Sequence, residues 1–200
     1  MAMDYQSLRY AMLNTPIELG WHLRRVERHL APGNGDRILE VGCGRGFLTR
    51  LVQEIAPATQ GVDLNAEAVR NGVTRNLRVM DAERLDFPDS SFDKLYCIHA
   101  IEHFPRPELA LAEMARVLRP GGKILLVYPA EPVRGLYVVP TAMLLFGNPF
   151  RARELHLHRL TPRRVRRLAV GLPLEHITSR FSLLLTPQFL TVFRRPAATS

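Results

Sequence analysis

With 200 residues, 46% hydrophobic and 23% charged, the chain can build one domain with a sizeable core and is too short for two. The net charge of +8 is lopsided, since residues 1–150 carry 17 basic and 17 acidic groups while 151–200 carry 10 basic and 2 acidic; this suits an anionic partner on that flank, or an Arg-rich solvated face. No apolar run approaches the ~20 residues of a membrane span, the N-terminus lacks a secretory pattern, and Cys43 and Cys97 have no second ligand at metal spacing, so the expectation is a cytoplasmic protein with both thiols reduced.

The first predicted element is an amphipathic helix over Ile17–Leu30, stopped by Pro32 and Gly33, with Ile17, Leu19, Trp21, Leu23, Val26 and Leu30 as its apolar residues. From Arg37 short apolar runs alternate with helical patterns. They read as strand Ile38–Val41, helix Phe47–Ile55, strand Gln60–Val62, helix Ala66–Arg75, strands Leu77–Met80 and Lys94–Ile98, helix Glu108–Leu118 and strand Lys123–Val127. That rhythm predicts a doubly wound, mostly parallel α/β sheet of Rossmann-like type. It breaks over Pro129–Leu160, an irregular segment holding the apolar run Leu136–Phe146, interrupted by Pro140. Thr161 and Pro162 then open a basic helix to about Val170, and Leu174–Leu185 with Gln188–Arg194 read as an antiparallel hairpin at the sheet edge. The expected organisation is one domain: a helical cap (1–36), a ligand-binding core (37–128), an acceptor-side insertion or lid (129–160), and the basic helix with its hairpin (161–195).

In an open parallel sheet the ligand sits beyond the carboxyl ends of the strands. The first strand here runs into Glu40-Val41-Gly42-Cys43-Gly44-Arg45-Gly46, and the second ends on Asp63. Glycines permit positive φ and close backbone approach, the helix after them presents free N–H groups, and an acid at the next strand end can accept both hydroxyls of a ribose. The pair points to an adenosine-containing cofactor. Gly46 comes one residue early for the Gly-x-Gly-x-x-Gly of a dinucleotide site, where Phe47 stands instead. Glu40 would repel a pyrophosphate but could orient the ammonium of a bound amino acid. NAD is therefore the minority reading.

Those residues resemble motif I of class I S-adenosylmethionine-dependent methyltransferases. The resemblance continues through Asp63, Met80–Pro88, Ser91–Asp93, Ile101-Glu102-His103-Phe104 and Val117–Lys123, and is closest to the small-molecule branch called methyltransferase type 11, which includes ubiquinone and menaquinone biosynthesis enzymes. It implies S-adenosyl-L-methionine as cofactor. Gly42, Cys43 and Gly44, with Gly46 closing the turn, would lie under the methionine and Glu40 would anchor its amino end. Asp63 would hold the ribose and Leu64 pack on the adenine. Asp81 would accept from the adenine amino group while Ala82 offers a backbone N–H, and Ile98 and His99 would close over the methionine.

Methyl transfer from a sulfonium is an in-line displacement, so alignment alone can supply roughly 7–11 kcal/mol of the barrier reduction. His103, beside Glu102 and near His99, is either the base that takes the acceptor's proton or a wall of the cofactor pocket. His156 and His158 are expected in the lid or acceptor pocket rather than in a metal site. Leu136–Phe146 reads as core or as the wall of an apolar acceptor pocket; with Arg151, Arg153, Arg163, Arg164, Arg166 and Arg167 nearby it suits a small-molecule or lipid-like acceptor and peripheral contact with an anionic membrane. An RNA methyltransferase is disfavoured because Cys97-Ile98-His99-Ala100 stands where an Asn-Pro-Pro-Tyr-like sequence would be. A non-catalytic cofactor-binding partner is disfavoured by the intact glycines and acids.

Overall fold

The computed structural model describes residues 15–130, 158–183 and 187–197. Its strands are β1 (Ile38–Val41), β2 (Gln60–Asp63), β3 (Leu77–Val79), β4 (Phe92–Ile98), β5 (Leu118–Pro129), β6 (Glu175–Leu183) and β7 (Pro187–Arg194). They form one seven-stranded sheet in the order β3-β2-β1-β4-β5-β7-β6. β1 pairs in parallel with both β2 and β4, β2 with β3 and β4 with β5, while β7 runs antiparallel between β5 and β6. The expected doubly wound sheet with an antiparallel C-terminal hairpin is what forms.

Strand alternation sorts the core into two layers. Leu39 and Val41, Leu95 and Cys97, and Ile124, Leu126 and Tyr128 face one side with Leu111 and Met114 of helix α4 (Pro107–Val117) and Val165 of helix α5 (Pro162–Leu168). Ile38, Tyr96, Leu125 and Val127 face the other, against Val26 and Leu30 of helix α1 (Pro16–Leu30) and Leu48 and Val52 of helix α2 (Phe47–Gln53). Each fully buried side chain of this kind contributes about 1.5–3 kcal/mol.

Several element ends shift by one or two residues, and three differences are instructive. On α1 the buried residues are His22, Val26 and Leu30, spaced four apart, so Trp21 remains 37% exposed; Thr15 caps the start by accepting from the Glu18 N–H, and Ala31 ends the helix at φ 48°. Helix α3 (Ala66–Arg70) is a single turn capped by Asn65 rather than reaching Arg75. A Cβ at Gly72 would lie 2.5 Å from Leu77 Cδ1, so the chain must bend there to bring Leu77 to β2. β5 starts at Leu118, not Lys123, because the Pro-Gly-Gly run is absorbed as an irregularity in the pairing with β4 between Phe92 and Lys94. The apolar run Leu136–Phe146, Arg151, Arg153 and His156 lie outside the described residues.

Candidate functional site

β1 lies between β2 and β4, and its connections leave in opposite directions on the two sides, so the carboxyl ends of these strands flank a crevice. The glycine turn is tied to its neighbour there, since the N–H groups of Gly42 and Cys43 both donate to Val62 O, at 2.8 and 3.0 Å. Gly42 is obligatory on two counts: φ is 79°, and a Cβ would meet Ala100 Cβ at 2.2 Å. Gly46 caps α2 at φ 76°, with a would-be Cβ 2.7 Å from Leu77. Cys43 is buried beneath the turn, and burial pushes its thiol far above the ordinary range; it and Cys97 are free and inert.

Asp63 ends β2 with both oxygens engaged. Gly44 N–H donates to one at 2.7 Å and Asn65 N–H to the other at 2.9 Å. Burial raises its carboxyl, partly offset by these bonds, and each oxygen keeps a lone pair for a further donor. Leu64 beside it is 67% exposed at the same rim. The Met80 N–H donates to Asp63 O at 3.0 Å and joins the end of β3 to the crevice. Asp81 follows, accepting from the Glu83 N–H at 2.9 Å, with Ala82 buried behind it.

Glu40 is 5% exposed on the α1–α2 face of β1. Its Oε2 accepts from the hydroxyls of Thr49, on α2, and Tyr96, at 3.1 Å on β4. Burial pushes this carboxyl up to about 8 against the pull of those hydroxyls, with the Asp63 charge adding to the rise. A neighbouring cation would restore its ionised form. Tyr96 could have been found from sequence, because register pairs it with Glu40 across β1 and β4, whereas Thr49 has no such signal.

β4 ends in Ile98, half-buried, and His99, at φ 52° with its N–H donating to Val127 O at 2.9 Å. Left-handed backbone at a non-glycine residue stores strain, which persists only where packing enforces it. The edge of the His22 ring meets His99 at a centroid distance of 5.5 Å. Ile101–His103 form a 3-10 turn that places Glu102 in the core and His103 at the surface. His158 reaches the same corner, its N–H donating to Glu102 O at 3.1 Å and its Nε2 lying 3.2 Å from Pro105 O. The structure thus gathers Glu40, Gly42, Cys43, Gly44, Gly46, Asp63, Leu64, Asp81, Ala82, Ile98, His99 and His103 at one end of the sheet. Sequence patterning missed His22, which looks like an ordinary polar helix position.

The basic helix α5 is on the α4 side, anchored by buried Val165, with Arg163, Arg164, Arg166 and Arg167 exposed. Arg163, Arg164 and Arg167 line a shallow depression of about 560 Å³ that also exposes Val170. Among the described residues no three His, Cys, Asp or Glu are grouped to hold a metal ion, and no helix is long and apolar enough to cross a membrane.

Residues 39–126 match the methyltransferase domain family. Over 136 residues the chain is 34% identical to phosphatidylethanolamine N-methyltransferase of Cereibacter sphaeroides, covering 62% of this chain and 66% of that protein. It is 35% identical over 145 residues to the ubiquinone/menaquinone biosynthesis C-methyltransferase UbiE of Stutzerimonas stutzeri, covering 64% and 57% respectively. The chain therefore spans less than two thirds of the length of either relative. Its fold is similar to that of geranyl diphosphate C-methyltransferase from Streptomyces coelicolor, solved with Mg²⁺, geranyl diphosphate and S-adenosyl-L-homocysteine, with a TM-score of 0.69, 15% identity, and 96% of this chain and 87% of that one covered.

Proposed function

We propose that this chain, whose residues 39–126 match the methyltransferase domain family, is a class I S-adenosylmethionine-dependent methyltransferase that transfers a methyl group to a lipid-like or quinone-like small molecule. The observation that carries this reading is the glycine turn held against Asp63 by the 2.7 Å bond from Gly44, since a backbone cradle beside a fixed carboxylate matches an amino acid joined to a ribose. The donor set fits the cofactor. Asp63 retains acceptor capacity for two vicinal hydroxyls, exposed Leu64 offers an apolar surface to a base, and Asp81 with the Ala82 N–H offers one acceptor and one donor to a purine edge. Gly42, Cys43 and Gly44 supply close backbone approach. Glu40 gains a cation for a carboxyl that burial otherwise keeps protonated.

When bound, S-adenosylmethionine supplies a methyl carbon already activated by a positive sulfur. The protein's task is then to align and desolvate the acceptor and to receive its proton, and His103 is our candidate for the last step. Lipid-like acceptors are favoured by the names of the relatives and by the arginines of α5 beside exposed Val170, which suit an amphiphile with an anionic head or the surface of an anionic membrane. We assign residues 37–128 to cofactor binding and residues 136–146 and 151–167 to acceptor choice.

Calorimetry and thermal unfolding test the reading together. S-adenosylmethionine and S-adenosylhomocysteine at 100 times their dissociation constants should add about 2.7 kcal/mol of stability while NAD adds none. Asp63→Ala should cost about 1.5–3 kcal/mol of affinity for each charge-assisted hydrogen bond lost. Stabilisation by NAD alone, or no labelled methyl transferred to lipid and quinol pools by a protein that binds the cofactor, would refute it at the cofactor or the acceptor respectively.

A further inference from the structure

Glu102 is 1% exposed, and neither oxygen of its carboxylate accepts a hydrogen bond from any described group. A carboxylate removed from water is costly unless charge or hydrogen bonds compensate it, and replacing such a group by an apolar one is often harmless to folding. Stability therefore does not explain why a carboxylate sits there. The nearest compensating groups are two imidazoles on the same oxygen: His99 Nδ1 is 3.7 Å from Oε1 and His103 Nε2 is 4.0 Å from it.

Each element around this corner adds to the arrangement. From α1, His22 backs His99 edge-on, with Glu18 3.8 Å from its Nε2 and Arg25 3.3 Å from its Nδ1. Burial holds His22 below the usual imidazole range, so it backs His99 as a neutral ring. From the segment entering α5, His158 donates its N–H to Glu102 O, and Arg164 Nη2 lies 3.3 Å from His158 Nδ1. Beneath, the Cys97 thiol is pushed up by burial and by the Glu102 charge. His99 is fixed by strained backbone at φ 52°, and the side chains of His99 and His103 are 25% and 38% exposed beside the buried Glu102.

We propose that Glu102 is a positioning residue: its buried carboxylate orients His99 and His103 and stabilises the imidazolium formed when His103 takes the acceptor's proton. The inference rests on the methyl-transfer reading above. The acceptor's lone pair forms a bond to the methyl carbon, the electrons of the breaking carbon–sulfur bond stay on sulfur, and the acceptor's proton moves to His103, from which water later removes it. Burial pushes the Glu102 carboxyl up, but the two imidazoles beside it outweigh burial and leave the group below the ordinary carboxylate range, ionised for this role.

The test is an NMR titration of the histidine ring protons on the full chain, without cofactor or acceptor, in wild type, Glu102→Gln and Glu102→Asp. The proposal expects the His99 and His103 rings to titrate in coupled steps in wild type. Both should move to lower pH by about one unit in Glu102→Gln, and part of that shift should return in Glu102→Asp. The affinity for S-adenosylhomocysteine should stay within about twofold, and the acid limb of the activity profile should move with the rings, with kcat falling and KM unchanged. Superimposable ring titrations in wild type and Glu102→Gln overturn it. Should Glu102→Gln not fold, the wild-type carboxyl carbon of Glu102 decides: an ionised carboxyl whose shift follows the imidazoles supports the proposal, and one that ignores them overturns it. Absence of S-adenosylhomocysteine binding in wild type is a different failure, which sinks the methyl-transfer reading and leaves the ring titration to judge Glu102 alone.

Discussion

Asp63 and Glu102 are carboxylates at the same end of the same sheet, and the fold treats them in opposite ways. Each oxygen of Asp63 accepts a backbone N–H, so that side chain is a fixed part of the turn before any ligand arrives. Glu102 is more deeply buried and, among the described residues, has two imidazoles within 4.0 Å as its charge partners. A fully tied acid suits a group that holds the same charge throughout a cycle, whereas an acid compensated by titratable rings suits a place where charge changes. The β1–β2 side of the crevice is accordingly built to hold and the β4 side to respond.

The sharpest way to break the holding side is at Gly42. Valine there must adopt φ near 79° and push a Cβ into Ala100, 2.2 Å away. Strain and overpacking together should cost about 2–6 kcal/mol, read as a drop in the urea midpoint without a change of slope. A variant that folds with wild-type stability would mean that the turn can move, and the contrast with β4 would dissolve.

Glu40 offers a smaller effect with a defined sign. Its carboxyl rises from the ordinary 4.5 to about 8 in the folded chain, so the native state keeps a proton that the unfolded chain releases. Stability from this group is complete below pH 4.5, falls as pH rises between these values, and stays low above 8, by about 5 kcal/mol in all. His22 acts in the other direction: its lowered value costs stability as pH falls through the imidazole range. Denaturation at pH 5 and pH 9 in wild type and Glu40→Gln isolates the Glu40 contribution, and an equal pH slope in both proteins would show that Glu40 is ionised in the fold.

The contrast also marks what the sequence could reveal. Glycine spacing and the acid ending β2 were legible because they answer to local geometry: a turn needing positive φ and a strand with a fixed end. The strands were legible for the same reason, apolar residues alternating between two buried layers. Thr49 reaches Glu40 only through the packing of α2 on the sheet, and His22 reaches His99 only because α1 crosses β4; no period encodes either meeting. Glu102 was the least legible, because an isolated Glu next to a His reads as a solvated pair until its burial is known. α3 and β5 differed where a glycine had to be read as a bend in one case and as part of a strand in the other.

The smallest expected effect lies on α5. Val165 alone of this helix is fully buried and the arginines point outward, so their replacement should leave folding and cofactor affinity unaltered. If the helix meets an anionic membrane or an anionic acceptor, Arg163→Gln should weaken binding to phosphatidylglycerol vesicles by about 1 kcal/mol, roughly fivefold, and Arg163→Gln with Arg167→Gln should weaken it further. Salt screens such contacts over a Debye length of about 8 Å at physiological ionic strength, so the gap between wild type and variant should close as salt rises. Vesicle sedimentation across a salt series reads both quantities. Equal binding at low salt would make α5 a solvated face and move the search for the acceptor site to the crevice side of β4, where His99 and His103 flank Glu102.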